Sequence, residues 1–151
     1  MTKQVYLAPE TISTAEKQIG FPADTSFWQP LWMKFSARAT MMEIHCWAVE
    51  NEVRTQLGAQ MKEVGKVQGT ETIAFQAGLS KDINEWMATQ SYDIHGGLKW
   101  FSIFLVDAQG NQLASIEHYG GEITFYAKDD LEIEEVKSFF RGELIVHVFD
   151  E

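Results

Sequence analysis

"QLASIEHYGGEITFYA", residues 112–127, decides the fold. On both sides of Gly120-Gly121 apolar and polar residues alternate, the period of a strand with one buried face. A double glycine between two such runs signals a two-residue hairpin. Upstream, "LKWFSIFLV" (98–106) is apolar on both faces, and residues 107–111 supply a second turn. Three strands in a meander follow from this. In simple register, residue 118 lies opposite 100 on one neighbour and 123 on the other. Trp100, Phe104, Ala114, Ile116, His118, Ile123 and Phe125 then share a core face. The opposite face shows Lys99, Phe101, Glu117, Tyr119, Glu122, Thr124 and Tyr126, with aromatics and acids interleaved.

Downstream, Asp129 and Glu132 form a capping-box arrangement that opens a helix with Ile133, Val136 and Phe140 inward, stopped by Gly142. "ELIVHVF" (143–149) reads as a last strand, interior because it is apolar on both faces. On the N-terminal side, Ser80 caps a helix carrying Ile83, Trp86 and Met87, and residues 70–76 form a strand. Residues 8–20, from Pro9 to Gly20, have the ends of a short helix, and 21–30 read as a loop. Leu31, Met33, Phe35 and Ala37 alternate with Trp32, Lys34, Ser36 and Arg38, which predicts a strand over 31–38. From Met42 a strand period (Met42, Ile44, Cys46, Ala48) competes with a helical stripe (Met42, Cys46, Val49, Val53, Leu57, Met61, Val64); the favoured reading is a strand to about 49, then a helix over 51–64 closed by Gly65. The sum is an α+β fold: a mixed or mainly antiparallel sheet, including a C-terminal β-meander, packed with about four helices. The length of 151 residues fits one domain, 1–151.

His45 and Cys46 are adjacent, as a base and nucleophile or two metal ligands could be. Neighbours on a strand point to opposite faces, so His45 does not reach Cys46. The cysteine falls on the apolar side and reads as a packed thiol, because reactive thiols need an electropositive, partly exposed setting. Phosphate-cradling glycine loops, a nucleophile elbow and zinc spacings are all missing from the sequence. His45, His95, His118 and His147 are dispersed. No catalytic residue, metal ligand or cofactor is assigned.

The formal charge is −10, from 22 acidic and 12 basic side chains. Such a balance repels phosphate backbones and anionic membranes, so neither nucleic acid nor membrane is an expected partner. A lone cysteine and the lack of a secretory segment predict a cytoplasmic setting. The expectation is a non-enzymatic protein that binds a basic macromolecule, for example an immunity or neutralising protein for a basic bacterial toxin. Glu117, Tyr119, Glu122 and Tyr126 are the partner-binding candidates, since tyrosines beside acids suit a basic surface. The alternative is a small-molecule enzyme or ligand-binding domain whose pocket is lined by Trp28, Trp32, Trp47 and Trp100, with His45 or His118 as the polar group.

Overall fold

The computed structural model describes residues 2–12 and 21–149. Strand β1 (Lys3–Pro9) comes first, then the short strands β2 (Thr11–Ile12) and β3 (Phe21–Pro22), which pair with each other. Helix α1 (Trp28–Ser36), strand β4 (Met41–Trp47), helix α2 (Asn51–Gln60) and strands β5 (Lys62–Lys66) and β6 (Thr72–Gly78) follow. Helix α3 (Lys81–Gln90) precedes the meander of β7 (Ser102–Val106), β8 (Gln112–Glu117) and β9 (Glu122–Ala127). Helix α4 (Asp130–Lys137) and strand β10 (Leu144–Phe149) complete the series. Among the described residues the large sheet has eight strands, in the order β10-β1-β9-β8-β7-β4-β6-β5. All its pairings are antiparallel. The α+β class, the antiparallel sheet and the meander are as the sequence predicts.

Alternation along the strands builds one apolar face. Val5, Leu7, Met42, Ile44, Cys46, Ile103, Leu105, Ile116, Ile123 and Phe125 are all buried on it. Against them pack Trp28, Leu31, Trp32 and Phe35 of α1, Leu57 of α2, Ile83 and Met87 of α3, and Ile133 and Val136 of α4. The helices therefore cover one side of the sheet, and their ends are fixed by the expected caps. Ile83 N–H donates to Ser80 Oγ at 3.2 Å. Glu132 N–H donates to Asp129 Oδ1 at 2.9 Å, while Glu132 Oε1 accepts from Lys128 N–H. Each such cap is worth about 1 kcal/mol.

Five local expectations need correction. Residues 31–38 are not a strand: Trp28, Leu31, Trp32 and Phe35 recur at helical spacing and are buried, while Met33 is 67% exposed. Pro30 sits in the first turn of α1, where its missing N–H has no intrahelical partner to lose. The expected helix over 8–20 conflicts with β1 and β2 where it is described, and 13–20 lie outside the described residues. Pro9 lies beyond the last β1–β9 pair, Leu7↔Ile123, so it removes no ladder bond there. The helix expected to run to 64 stops at Gln60, and 62–66 form the bulged, charged edge strand β5. Strand β10 is not interior: it is the other edge of the sheet.

The fifth correction concerns the glycine turn. Glu117 pairs with Glu122, so four residues, 118–121, make the connection rather than two. His118 and Tyr119 both lie in the left-handed region, at φ 55° and 58°. For non-glycine residues that conformation costs about 1–2 kcal/mol each. A register shift of two keeps side chains on their faces, so Glu117, Glu122, Thr124 and Tyr126 share a face as expected. On β7 the shift is one: Leu105, not Phe104, faces Ala114. Phe104 therefore moves to the acidic face, and His118 leaves the ladder altogether.

Candidate functional site

The side of the sheet away from the helices is a continuous surface with a legible register. One row crosses all eight strands: His147, Tyr6, Thr124, Ser115, Phe104, Glu43, Gln76 and Lys62. A parallel row holds Glu122, Glu117, Ser102, His45 and Ala74. Ser102, Ser115 and Ala74 are buried between the larger side chains, which are half-buried or exposed. A small-residue floor beneath tyrosine, phenylalanine, histidine and glutamate results.

Of the four candidates, three stand on this surface. Glu117 and Glu122 are a directly opposed cross-strand pair. Like charges so placed repel, and the only relief among the described ion pairs is His118, whose Nδ1 lies 3.3 Å from Glu122 Oε2. Tyr126 is half-buried, opposite Gln4, which in turn faces Phe149 on β10. Tyr119 is the exception. It is buried, because the longer turn tucks its ring edge-on against Phe101 and its hydroxyl donates to Glu50 Oε2 at 3.2 Å. Burial first, then the Glu50 carboxylate, pushes its hydroxyl pKa upward. Tyr119 is thus a structural residue holding the turn to the start of α2.

The sequence did not point to Tyr6. β1 places it on the same surface, where burial and then the neighbouring Glu122 raise its hydroxyl pKa. Nor did it point to the arrangement around Glu43. Gln76 Nε2 donates to Glu43 Oε1 at 2.6 Å, and His45 Nε2 lies 2.6 Å from Oε2. An ionised carboxylate only accepts, so the imidazole proton sits on Nε2. Burial works against this carboxylate, but the bonds from Gln76 and His45 prevail and hold its pKa below the ordinary 4.5. The His45 ring leans on Phe104, with centroids 5.0 Å apart. These groups border a concavity of about 340 Å³ with Met41, Val106 and Gln112. Ser102 lies directly across from His45, yet no hydrogen bond joins them among the described residues. A nucleophile relay needs that bond within reach.

The tryptophans are divided between the two sides of the sheet. Trp28, Trp32 and Trp100 are core residues, and their indole N–H groups donate to Met87 O, Asn84 O and Ser91 Oγ. Trp47 lies on the opposite side of the sheet, stacked at a tilt on Phe101. Cys46 is fully buried, and its thiol is pushed up to about 11 by burial and then by Glu50. Among the described residues no three His, Cys, Asp or Glu side chains are placed to hold a metal ion, and no helix is long and apolar enough to cross a membrane.

Compared with protein-family models, curated proteins and solved structures, the chain matches none.

Proposed function

We propose that this chain is a non-enzymatic, cytoplasmic bacterial protein that binds a basic protein through the face of its sheet opposite the described helices, in the manner of an immunity or neutralising protein. The observation that carries this is the Glu117–Glu122 pair. Two carboxylates opposed across a ladder cost the free protein stability and gain a counter-charge when a lysine or arginine docks between them. Tyr6, Tyr126 and Phe104 supply the amphipathic contact area that interfaces favour beside such charges. The overall charge of −10 adds long-range attraction, which can raise association from a neutral ~10⁵–10⁶ M⁻¹s⁻¹ by orders of magnitude.

The test uses immobilised protein exposed to lysate of the source cells, with Glu117→Lys/Glu122→Lys as the control surface. A basic protein retained by the wild type, eluted by salt and not retained by the variant supports the proposal. Equal retention by both, or retention of no basic protein, rejects it. With the captured protein in hand, Tyr126→Ala should speed dissociation, since it removes buried contact area.

A further inference from the structure

We infer that the concavity beside Glu43 is the seat of one arginine side chain of the basic partner, an inference that rests on the docking role of this face. The cavity has the three elements that a guanidinium on an apolar stem requires. Its walls are Met41, Val106 and the Phe104 ring, which suit three methylenes and a stacked planar cation. Its acceptor is Glu43, the only carboxylate among the described lining residues, which include no lysine or arginine. The acceptor is also pre-set. Each oxygen of Glu43 already takes one hydrogen bond, from Gln76 or from His45. A carboxylate has about four acceptor positions, so one remains free on each oxygen, the spacing that the arginine fork fills with two parallel bonds. The Glu43 side chain is 32% exposed and lines the cavity.

Register adds the geometry. Phe104 stands directly opposite Glu43 on β7 and Gln76 directly opposite on β6, so ring, carboxylate and amide form one row. A guanidinium bonded to Glu43 lies next to the Phe104 ring. An ammonium gains the charge but neither the fork nor the stacking. The next row, toward the β8–β9 turn, carries Glu117 and Glu122, which places the arginine seat and the acidic pair on one continuous surface.

The experiment is an NMR titration of the protein with a blocked Gly-Arg-Gly peptide, its Gly-Lys-Gly counterpart and free L-arginine, following the Gln76 side-chain amide and the His45 ring. The arginine peptide should shift both signals saturably. The lysine peptide should bind about tenfold more weakly. Glu43→Gln, which keeps the side-chain shape, should abolish the response while leaving the rest of the spectrum in place, and Phe104→Ala should weaken it with the Glu43 carboxylate intact. No shift at Gln76 and His45, equal responses to arginine and lysine, or an undiminished response in Glu43→Gln would overturn the inference. Binding of free arginine without the peptide would overturn it in favour of a small metabolite. If the peptide fails while the Glu117→Lys/Glu122→Lys variant still loses the basic protein, the arginine seat falls alone. If that variant keeps its partner, the docking face itself falls.

Discussion

Glu117 on β8 and Glu122 on β9 face each other directly across the ladder, on the side of the sheet that no described helix covers. Their repulsion is a feature of the free protein that can be measured without any partner. Glu117→Gln leaves the His118–Glu122 contact in place and removes one of the opposed charges. It should raise the free energy of unfolding by about 0.2–1 kcal/mol in low salt, and the gain should shrink as salt screens the pair. Urea denaturation at two ionic strengths checks both. A loss of stability would mean that the two carboxylates do not oppose each other.

Tyr119 separates structure from binding. Its hydroxyl donates to the carboxylate of Glu50, which also accepts from Trp47 N–H at 2.8 Å. Tyr119→Phe should cost about 1.5–3 kcal/mol, the range for a hydrogen bond to a charged group. Because the ring is buried, association with the basic partner should not change. A weakened association in a folded Tyr119→Phe protein would return the residue to the docking surface.

Much of this fold was legible in the sequence, and the failures share a cause. The caps at Ser80 and Asp129 and the strand β9 depend on local chemistry and came out where expected. Residues 31–38 did not, because Leu31 and Phe35 satisfy strand alternation and helical spacing equally. Only the exposure of Met33 and the burial of Trp28 and Trp32 decide between them. The edge strand β5 was missed because an exposed, charged edge carries no alternation to read. Glu117 and Glu122 lie on one face as expected, since residues on a strand keep their face under an even register shift. Tyr119 was misplaced because Gly120-Gly121 is only part of a longer turn with two left-handed residues before it. Tyr6, Glu43 and Gln76 were not found at all, since pairing between strands distant in sequence leaves no mark in either strand alone.

The cysteine should behave as a core residue. With its thiol buried and its pKa at about 11, Cys46 should react slowly with a thiol reagent in the native protein and rapidly after denaturation. Cys46→Ala should lower stability by about 1 kcal/mol and leave partner binding intact. Rapid native labelling would contradict the packing around β4.

Glu43 gives a pH prediction with a definite sign. Its carboxyl lies below the ordinary 4.5 in the folded protein. An acid depressed in the fold adds stability above its unfolded value, and that stability is lost as pH falls through the folded one. The NMR titration midpoint of Glu43 should therefore lie under 4.5. Gln76→Ala, which removes one of the bonds holding it down, should move the midpoint up. A midpoint at or above 4.5 in the wild type would mean that burial outweighs the two hydrogen bonds.

The proposed docking face is checked by association kinetics of a captured basic protein with wild-type protein and with Glu117→Lys/Glu122→Lys, across a range of salt. Attraction between an acidic face and a basic partner acts on the encounter, and salt screens it over about 10 Å at 0.1 M. The variant should associate roughly tenfold or more slowly at low salt, with the two rates converging at high salt. Equal association rates at low salt, or a deficit that salt does not reduce, would contradict it.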